Sequence, residues 1–561
     1  MNDTVKRRNF LFSSFVASLF LMTGFANTAE NSKQPNIVLI LVDDVGTGWI
    51  PPYADRLTPA DVEPEIVASY SKKRNRSQPV NVGKHIEAAR ACMPTLSKLA
   101  AQGAVFDRAF ATASLCAPSR AGLMTGSFQQ RWGAFRNMDI EEHSIPEEKT
   151  VMAEPLKAVG YRCGMIGKWH IAEKDPAIIE QVWADQGGAG PIPGSKRHEL
   201  VLKAKKEYGW QSSSKPGQHP LDQGFDYYFG YNSYDSKYYN ATGLWENHER
   251  VPARPNGEFL TDLFNEKSCE FIESALKESK PFFLYYAPMT LHGGILPPPD
   301  HYSEPFDTGI KFSNEYAGHL LALDQGIEQI LQTLTKYDQE KNTLFIFSCD
   351  NGCTLYNVPP YNAPHRGGKG TGWLGGINIP FVVWQPGVVK PEINREIISL
   401  ADVMPTVLEA AGASIPKDID GKSLLPFLKG EAEQGPRDHL VSSAIQSSRW
   451  SYCYEAEGEI NNKDANDCPL YAFSIQGDRL LMHITAIKPG LYNALPKGLK
   501  ERTLLFDLKA DPQQRTDLHT KYPGNVSSMN RQIHEWLKMC REPLTSQQQD
   551  YRELLKETKY E

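Results

Sequence analysis

Four short runs of branched aliphatic and aromatic residues constrain the fold more than any other feature. Residues 36–42 read Asn-Ile-Val-Leu-Ile-Leu-Val, and residues 281–287, 343–348 and 380–384 are of the same kind. A run without polar alternation leaves no face for solvent, so it predicts a strand covered on both sides, as in a parallel sheet. Between these runs, residues 93–102, 261–277 and 316–335 carry apolar residues at helical spacing. Strands alternating with helices imply an α/β sandwich. In that class ligands bind beyond the carboxyl ends of the strands. Three of the runs lead into reactive residues: Asp43 and Asp44, then His292, then Asp350 and Asn351. The pattern predicts that these three clusters converge on one edge of the sheet.

The chain has 561 residues, too many for one simple core, which implies one large domain and a smaller one. Its net charge of -7 argues against a general nucleic-acid binder, which needs a basic surface. It leaves room for an anionic substrate, since a few local cations hold one sulfate or phosphate. Lys6, Arg7 and Arg8 precede an apolar stretch over residues 10–25 and an Ala26-Asn27-Thr28-Ala29 end, the pattern of a removable export leader over residues 1–29. Arg7-Arg8-Asn9-Phe10-Leu11 also resembles a twin-arginine signal, which implies export to the periplasm or beyond. That stretch is short and broken by Ser and Gly, and no other segment is long and apolar enough, so no stable membrane insertion is expected. The nine cysteines form no C-x-x-C pair and no zinc-type cluster. Cys453 and Cys468 are the pair nearest in sequence for a disulfide, and the odd count leaves one cysteine over.

Asp43, Asp44, Asp350 and Asn351 together offer three carboxylates and one amide oxygen. Hard oxygen donors of this kind suit Ca²⁺ or Mg²⁺ rather than zinc or copper.

Cys116-Ala117-Pro118-Ser119-Arg120 is followed by Leu123-Met124-Thr125-Gly126. This resembles the signature of the formylglycine-dependent sulfatases, C-x-P-S-R with L-x-T-G behind it. Gly167-Lys168-Trp169-His170 is similar to their G-K-x-H element, Gly224 to Gly230 to their G-F-D stretch, Ser348-Cys349-Asp350-Asn351-Gly352 to S-D-N-G with Cys349 inserted, and Gly367-Gly368-Lys369-Gly370 to the loop with a second lysine. Residues 400–406, 420–425 and 505–512 resemble later elements of the same family. The resemblance implies an alkaline phosphatase-like α/β/α sandwich with a large mixed sheet over residues 34–435. It implies a smaller C-terminal α+β part with a short antiparallel sheet over residues 436–545, and leaves a polar tail at 546–561.

The resemblance also implies chemistry. A maturation enzyme would oxidise Cys116 to formylglycine, whose hydrated aldehyde attacks sulfur. One Ca²⁺ would be held by Asp43, Asp44, Asp350 and Asn351, with the modified Cys116 also touching it. Lys168 and Lys369 would bind sulfate oxygens, and Arg120, a permanent cation, the modified side chain or the sulfate. Asp350 would accept the proton of the attacking hydroxyl and His292 would protonate the departing alcohol. His170 would take the second hydroxyl's proton, so that the hemiacetal collapses and releases sulfate.

Two departures stand out. Leu374 and Asn378 replace an acid and an arginine of the family pattern, which implies altered loop support or substrate contacts, and His292 lacks the proline that usually follows it. Residues 172–256 read as irregular, with Tyr231, Tyr234, Tyr238, Tyr239 and Trp245 offering aromatic platforms for sugar rings. The insertion at residues 51–84 falls where a rim of the pocket would form. A sulfated poly- or oligosaccharide is the expected substrate. A phosphonate monoester hydrolase or phosphodiesterase, a small-aryl arylsulfatase and a non-catalytic carbohydrate-binding relative remain the alternatives.

Overall fold

The computed structural model describes residues 34–73, 80–233, 237–252, 257–354, 358–445, 470–485, 502–541 and 544. The expected leader, Tyr234, the Cys453–Cys468 pair and the polar tail lie outside these residues.

Ten strands form one sheet in the order Glu392–Asn394, Ala104–Phe106, Phe381–Trp384, Thr343–Cys349, Asn36–Val42, Phe282–Ala287, Arg162–Lys168, Tyr227–Tyr231, Trp245–Glu246, Glu249–Arg250. The Asn36–Val42 strand lies at its centre, and every one of its residues is buried. It pairs in parallel with both neighbours, with Val42 opposite Cys349 and Ile40 opposite Tyr286. The run at 381–384 departs from the parallel expectation: it lies antiparallel to both Thr343–Cys349 and Ala104–Phe106. A strand covered on both faces carries the same apolar pattern whichever way it runs, so its direction is not written in its composition. The sheet is therefore mixed.

Helices cover the sheet. Leu260–Lys277 and Lys311–Lys336 pack against each other. The carboxylate of Asp324 on the second reaches across to accept the Thr95 and Leu96 amides at 2.8 Å. It thus caps the helix Pro94–Ala101, whose own N-cap residue, Met93, supplies no side-chain acceptor. The described part of residues 172–256 is more regular than its Gly- and Pro-broken sequence implies. Helices Ala177–Asp185 and Gly194–Glu207 bury Ile178, Val182 and Leu200 in a small apolar cluster of their own. Among the described residues no helix is long and apolar enough to cross a membrane.

Toward the C-terminus, strands His439–Ile445, Leu470–Gln476, Arg479–Thr485 and Arg502–Asp507 form an antiparallel sheet. Helix Pro523–Met539 covers it, burying Met529 and Ile533 against Leu481 and Leu505. This part also grips a loop of the large sheet. Gln514 Oε1 accepts the Leu374 amide at 3.1 Å, and the Trp373 ring lies 6.0 Å from that of Phe506. Gly372 presses so closely on Tyr471 that a Cβ there would stand 2.0 Å from its ring. On the other side, a Glu63 carboxylate oxygen from the 51–84 segment accepts the Gly367 amide at 3.3 Å. Glu63 thus braces the loop that carries Lys369.

Candidate active site

Strand register assembles the site. Because Val42 and Cys349 are opposite one another, the residues that follow them, Asp43–Asp44 and Asp350–Asn351, emerge side by side. Asp44 adopts a left-handed backbone conformation, φ 59°, which a short acidic side chain tolerates better than most. Its amide donates to Asp350 Oδ1 at 3.3 Å, and Asn351 Nδ2 donates to Asp44 Oδ1 at 2.7 Å. Cys116 opens the helix Cys116–Thr125 and is fully buried, its sulfur 3.5 Å from Asp43 Oδ1. One donor atom from each of Asp43, Asp44, Cys116 and Asp350 lies within 4.8 Å of the others. Asp43, Cys116 and His292 meet the same condition.

Three buried cations face these three carboxylates. Lys168, the last residue of its strand, donates to Asp43 Oδ2 at 2.7 Å. Lys369 donates to Asp44 Oδ2 at 2.7 Å and to the Cys116 sulfur at 3.0 Å. Arg120, one helical turn beyond Cys116, places Nε and Nη2 on Asp350 Oδ2 at 3.0 and 2.8 Å and Nη1 on the Lys168 carbonyl at 2.9 Å. Its guanidinium is thus turned to Asp350 and the Lys168 backbone rather than to the Cys116 side chain.

Charge and burial set the titration. Burial alone would raise the Asp43 carboxyl, but Lys168, with His292, Arg120 and Lys369, overcomes it and holds that carboxyl well below the usual range. Burial lifts Asp44 to about 6, with Asp43 and Asp350 adding to it against Lys369. Burial and the Asp43 charge also raise Asp350. The Cys116 thiol is pushed well above its ordinary value by burial and then by Asp350. An unmodified thiol here is therefore a poor nucleophile.

The crowded carboxylates and the fully buried Asn351 make a test of the metal expectation. Asn351 Oδ1 is buried and has no hydrogen-bond partner among the described residues. An unpaired amide oxygen beside three carboxylates is a hard-donor set that fits Ca²⁺ or Mg²⁺.

Two histidines flank the cluster. His170 also has a left-handed backbone, φ 58°, and its Nε2 lies 2.8 Å from Glu141 Oε1, while Lys174 donates to Glu141 Oε2 at 2.9 Å. Burial and then Lys168 push the His170 imidazole down to about 4, so it is neutral near pH 7. Glu141 is held below the usual range by Lys174 and His170, against its burial. A carboxylate can only accept, so Nε2 carries the proton and Nδ1 keeps its lone pair, buried and without a partner among the described residues. His292 sits in a turn closed by its amide on the Met289 carbonyl at 3.0 Å, and its own carbonyl accepts the Tyr238 hydroxyl at 2.9 Å. Burial and then Lys168 hold its imidazole well below 6.5.

All ten residues named from the sequence lie in this cluster or beside it. The two departures do not: Leu374 is buried with its amide on Gln514, and Asn378 Nδ2 donates to the Asp107 carbonyl at 3.1 Å. Both support loops. Tyr231 and Tyr238 are buried in the core rather than forming a platform. Glu141 and Lys174 were not legible as site residues, and Tyr238, expected as a sugar platform, holds the His292 carbonyl instead. Glu141 and Tyr238 each reach a site histidine from a distant segment and Lys174 reaches Glu141, approaches that neither spacing nor composition marks.

Residues 35–413 match the sulfatase family. The chain is 28% identical over 551 residues to the uncharacterized sulfatase YdeN of Escherichia coli (strain K12), covering 94% of this chain and 90% of that one. It is 27% identical over 449 residues to the N-acetylgalactosamine-6-sulfatase of Mus musculus, covering 74% and 71%. The crystal structure of Ps i-CgsB in complex with k-i-k-neocarrahexaose shares the fold, with a TM-score of 0.65 at 20% identity over 93% of this chain and 97% of that one. Family sequence over most of the chain, carried on this fold, makes the protein a member of the sulfatase family, an enzyme that hydrolyses sulfate esters.

Proposed function

We propose that this enzyme, exported under its N-terminal leader, removes sulfate from a carbohydrate, using Cys116 matured to formylglycine and one Ca²⁺. The observation that carries the reading is the position of Cys116. It is buried at the first turn of a helix, with Lys369 at 3.0 Å and Asp43 at 3.5 Å from its sulfur. The mouse relative's name and the neocarrahexaose bound to Ps i-CgsB both point to carbohydrate.

Asp43, Asp44, Asp350 and Asn351 would hold the cation, which supplies positive charge that lowers a nearby hydroxyl's pKa and screens developing negative charge. Formylglycine, once made by a maturation enzyme, supplies a hydroxyl nucleophile where the thiol supplies none. The protein's own groups do the rest. The dipole of the Cys116–Thr125 helix, whose N-terminal end lies at Cys116, favours an anion there. Lys168 and Lys369 provide two ammonium groups for the oxygens of a sulfate. Arg120 keeps the Asp350 carboxylate fixed to receive the nucleophile's proton. An arriving sulfate ester brings negative charge beside His292 and favours its protonated form, which then delivers a proton to the departing alcohol oxygen. Such a step contributes about 10²–10⁴ in rate. His170 Nδ1, with Glu141 holding the opposite nitrogen, is the remaining base.

Replacing Cys116 with Ala should abolish sulfate release from every member of a sulfated-oligosaccharide panel while leaving the circular dichroism spectrum unchanged. Turnover by Cys116→Ala, or an intact thiol at Cys116 in peptides from active enzyme, would overturn the covalent scheme. Preference for phosphate diesters over sulfate esters would overturn the substrate class.

A further inference from the structure

A cavity of about 260 Å³ lies among residues 175–248 and shares no lining residue with the reaction centre. Asp175, on its wall, follows His170 by five positions. The Ser212 carbonyl accepts the amide of Asn232 at 3.0 Å, and Asn232 directly follows Tyr231, the strand partner of Lys168. The cavity therefore runs along the strand next to that of Lys168: Ser212 stands by its carboxyl end, and Tyr228, opposite Met165, toward its amino end.

Its walls are aromatic. Tyr228, Trp245 and His219 line it, with His219 edge-on to Tyr228 at 5.0 Å and 4.5 Å from the exposed His248 ring. The Tyr228 hydroxyl is buried and has no hydrogen-bond partner among the described residues. A buried hydroxyl left unpaired carries a desolvation cost, which a ligand's polar group recovers. Among the described residues the carboxylates lining the cavity are Asp175 and Asp222, and no Lys or Arg lines it. Each carboxylate gives one oxygen to a local amide, Ala177 for Asp175 and Gly217 for Asp222, and keeps lone pairs for other donors.

Apolar ring faces between hydroxyl-acceptor groups match a pyranose, whose C–H faces are apolar and whose edges are hydroxyls. The volume lies below the about 300–1,000 Å³ of pockets for drug-sized ligands and suits one ring. The two carboxylates disfavour a sulfated or carboxylated ring. We infer that this cavity is a second sugar site, which holds an uncharged hexose of the glycan while the sulfated unit occupies the reaction centre. The inference rests on the carbohydrate sulfatase reading and extends it: the enzyme recognises an oligosaccharide, not an isolated sugar sulfate.

Saturation-transfer NMR on the full-length matured enzyme tests this, with unsulfated galactotriose and cellotriose as probes. We expect at least one to bind the wild type. Trp245→Ala should weaken it at least tenfold, and Tyr228→Phe, which removes only the hydroxyl, by a smaller measurable factor. Neither trisaccharide binding the wild type, or equal binding by wild type and both variants, overturns the site. Trisaccharide binding without sulfate release from any sulfated sugar would overturn the activity reading and leave the site standing.

Discussion

The ammonium of Lys369 stands 3.0 Å from the Cys116 sulfur, and the same nitrogen is 2.7 Å from Asp44. One cation therefore serves both the nucleophile's position and a buried acid. We predict that Lys369→Met loses on two counts. An electrostatic contact of this kind at a reacting group is worth about 10²–10³ in kcat. Leaving a buried carboxylate without its partner costs about 3–5 kcal/mol. Sulfate release and thermal unfolding, measured on one preparation, check both. An unchanged melting temperature would show that Asp44 does not depend on this lysine.

Glu141 acts through His170 and touches none of the carboxylates in the cluster. Glu141→Ala should free the His170 ring to exchange tautomers and lower kcat about 10–100-fold with little change in KM. Glu141→Gln, whose amide oxygen still accepts from Nε2, should restore most of that loss. Equal impairment by Ala and Gln would assign Glu141 a charge role instead.

Removing divalent cations with a chelator should abolish turnover, and added Ca²⁺ should restore it. A bound cation at a hundred times its Kd adds about 2.7 kcal/mol to stability, so the melting temperature should fall with the chelator and recover with Ca²⁺. Asn351→Ala should raise the Ca²⁺ needed for half-recovery at least tenfold. Indifference of both activity and melting to the chelator would remove the cation from the scheme.

Stability should fall on mild acidification. Burial holds His319 and His365 near 4, against an ordinary 6.5. Below about pH 6.5 the unfolded chain takes up protons that the folded imidazoles refuse, and this loss runs on down to about 4. Asp44 and Asp324, lifted to about 6 mainly by burial, work in the opposite sense below that pH. The steepest decline is therefore expected between about pH 6.5 and 6. His319→Gln should shallow it, and a melting temperature flat across that interval would contradict the assignment.

The parts of the site that sit on strand ends were legible before the structure. A buried run ending in Asp43 and another ending in Asp350 converge because their strands are parallel neighbours, a local pattern with a topological consequence. Lys369 belongs to a Gly-rich loop with no periodicity, and only the family resemblance placed it. Glu141 carried no signal, since its approach to His170 depends on how distant segments pack. The Phe381–Trp384 strand was recognised but not its direction. The helices at 177–185 and 194–207 were missed because glycines and prolines between them masked their spacing.

The grip of Gln514 and Tyr471 on the Lys369 loop gives the molecule a timetable. Lys369 closes over the Cys116 sulfur only when its loop is shaped, and that shape comes from residues synthesised roughly 140 positions after Leu374. At about 5–20 residues per second, Gln514 leaves the ribosome about 20–80 s after Cys116 does. A chain halted before Gln514 lacks this brace, and the thiol of Cys116 in it is expected to react faster with a thiol reagent than in the finished fold.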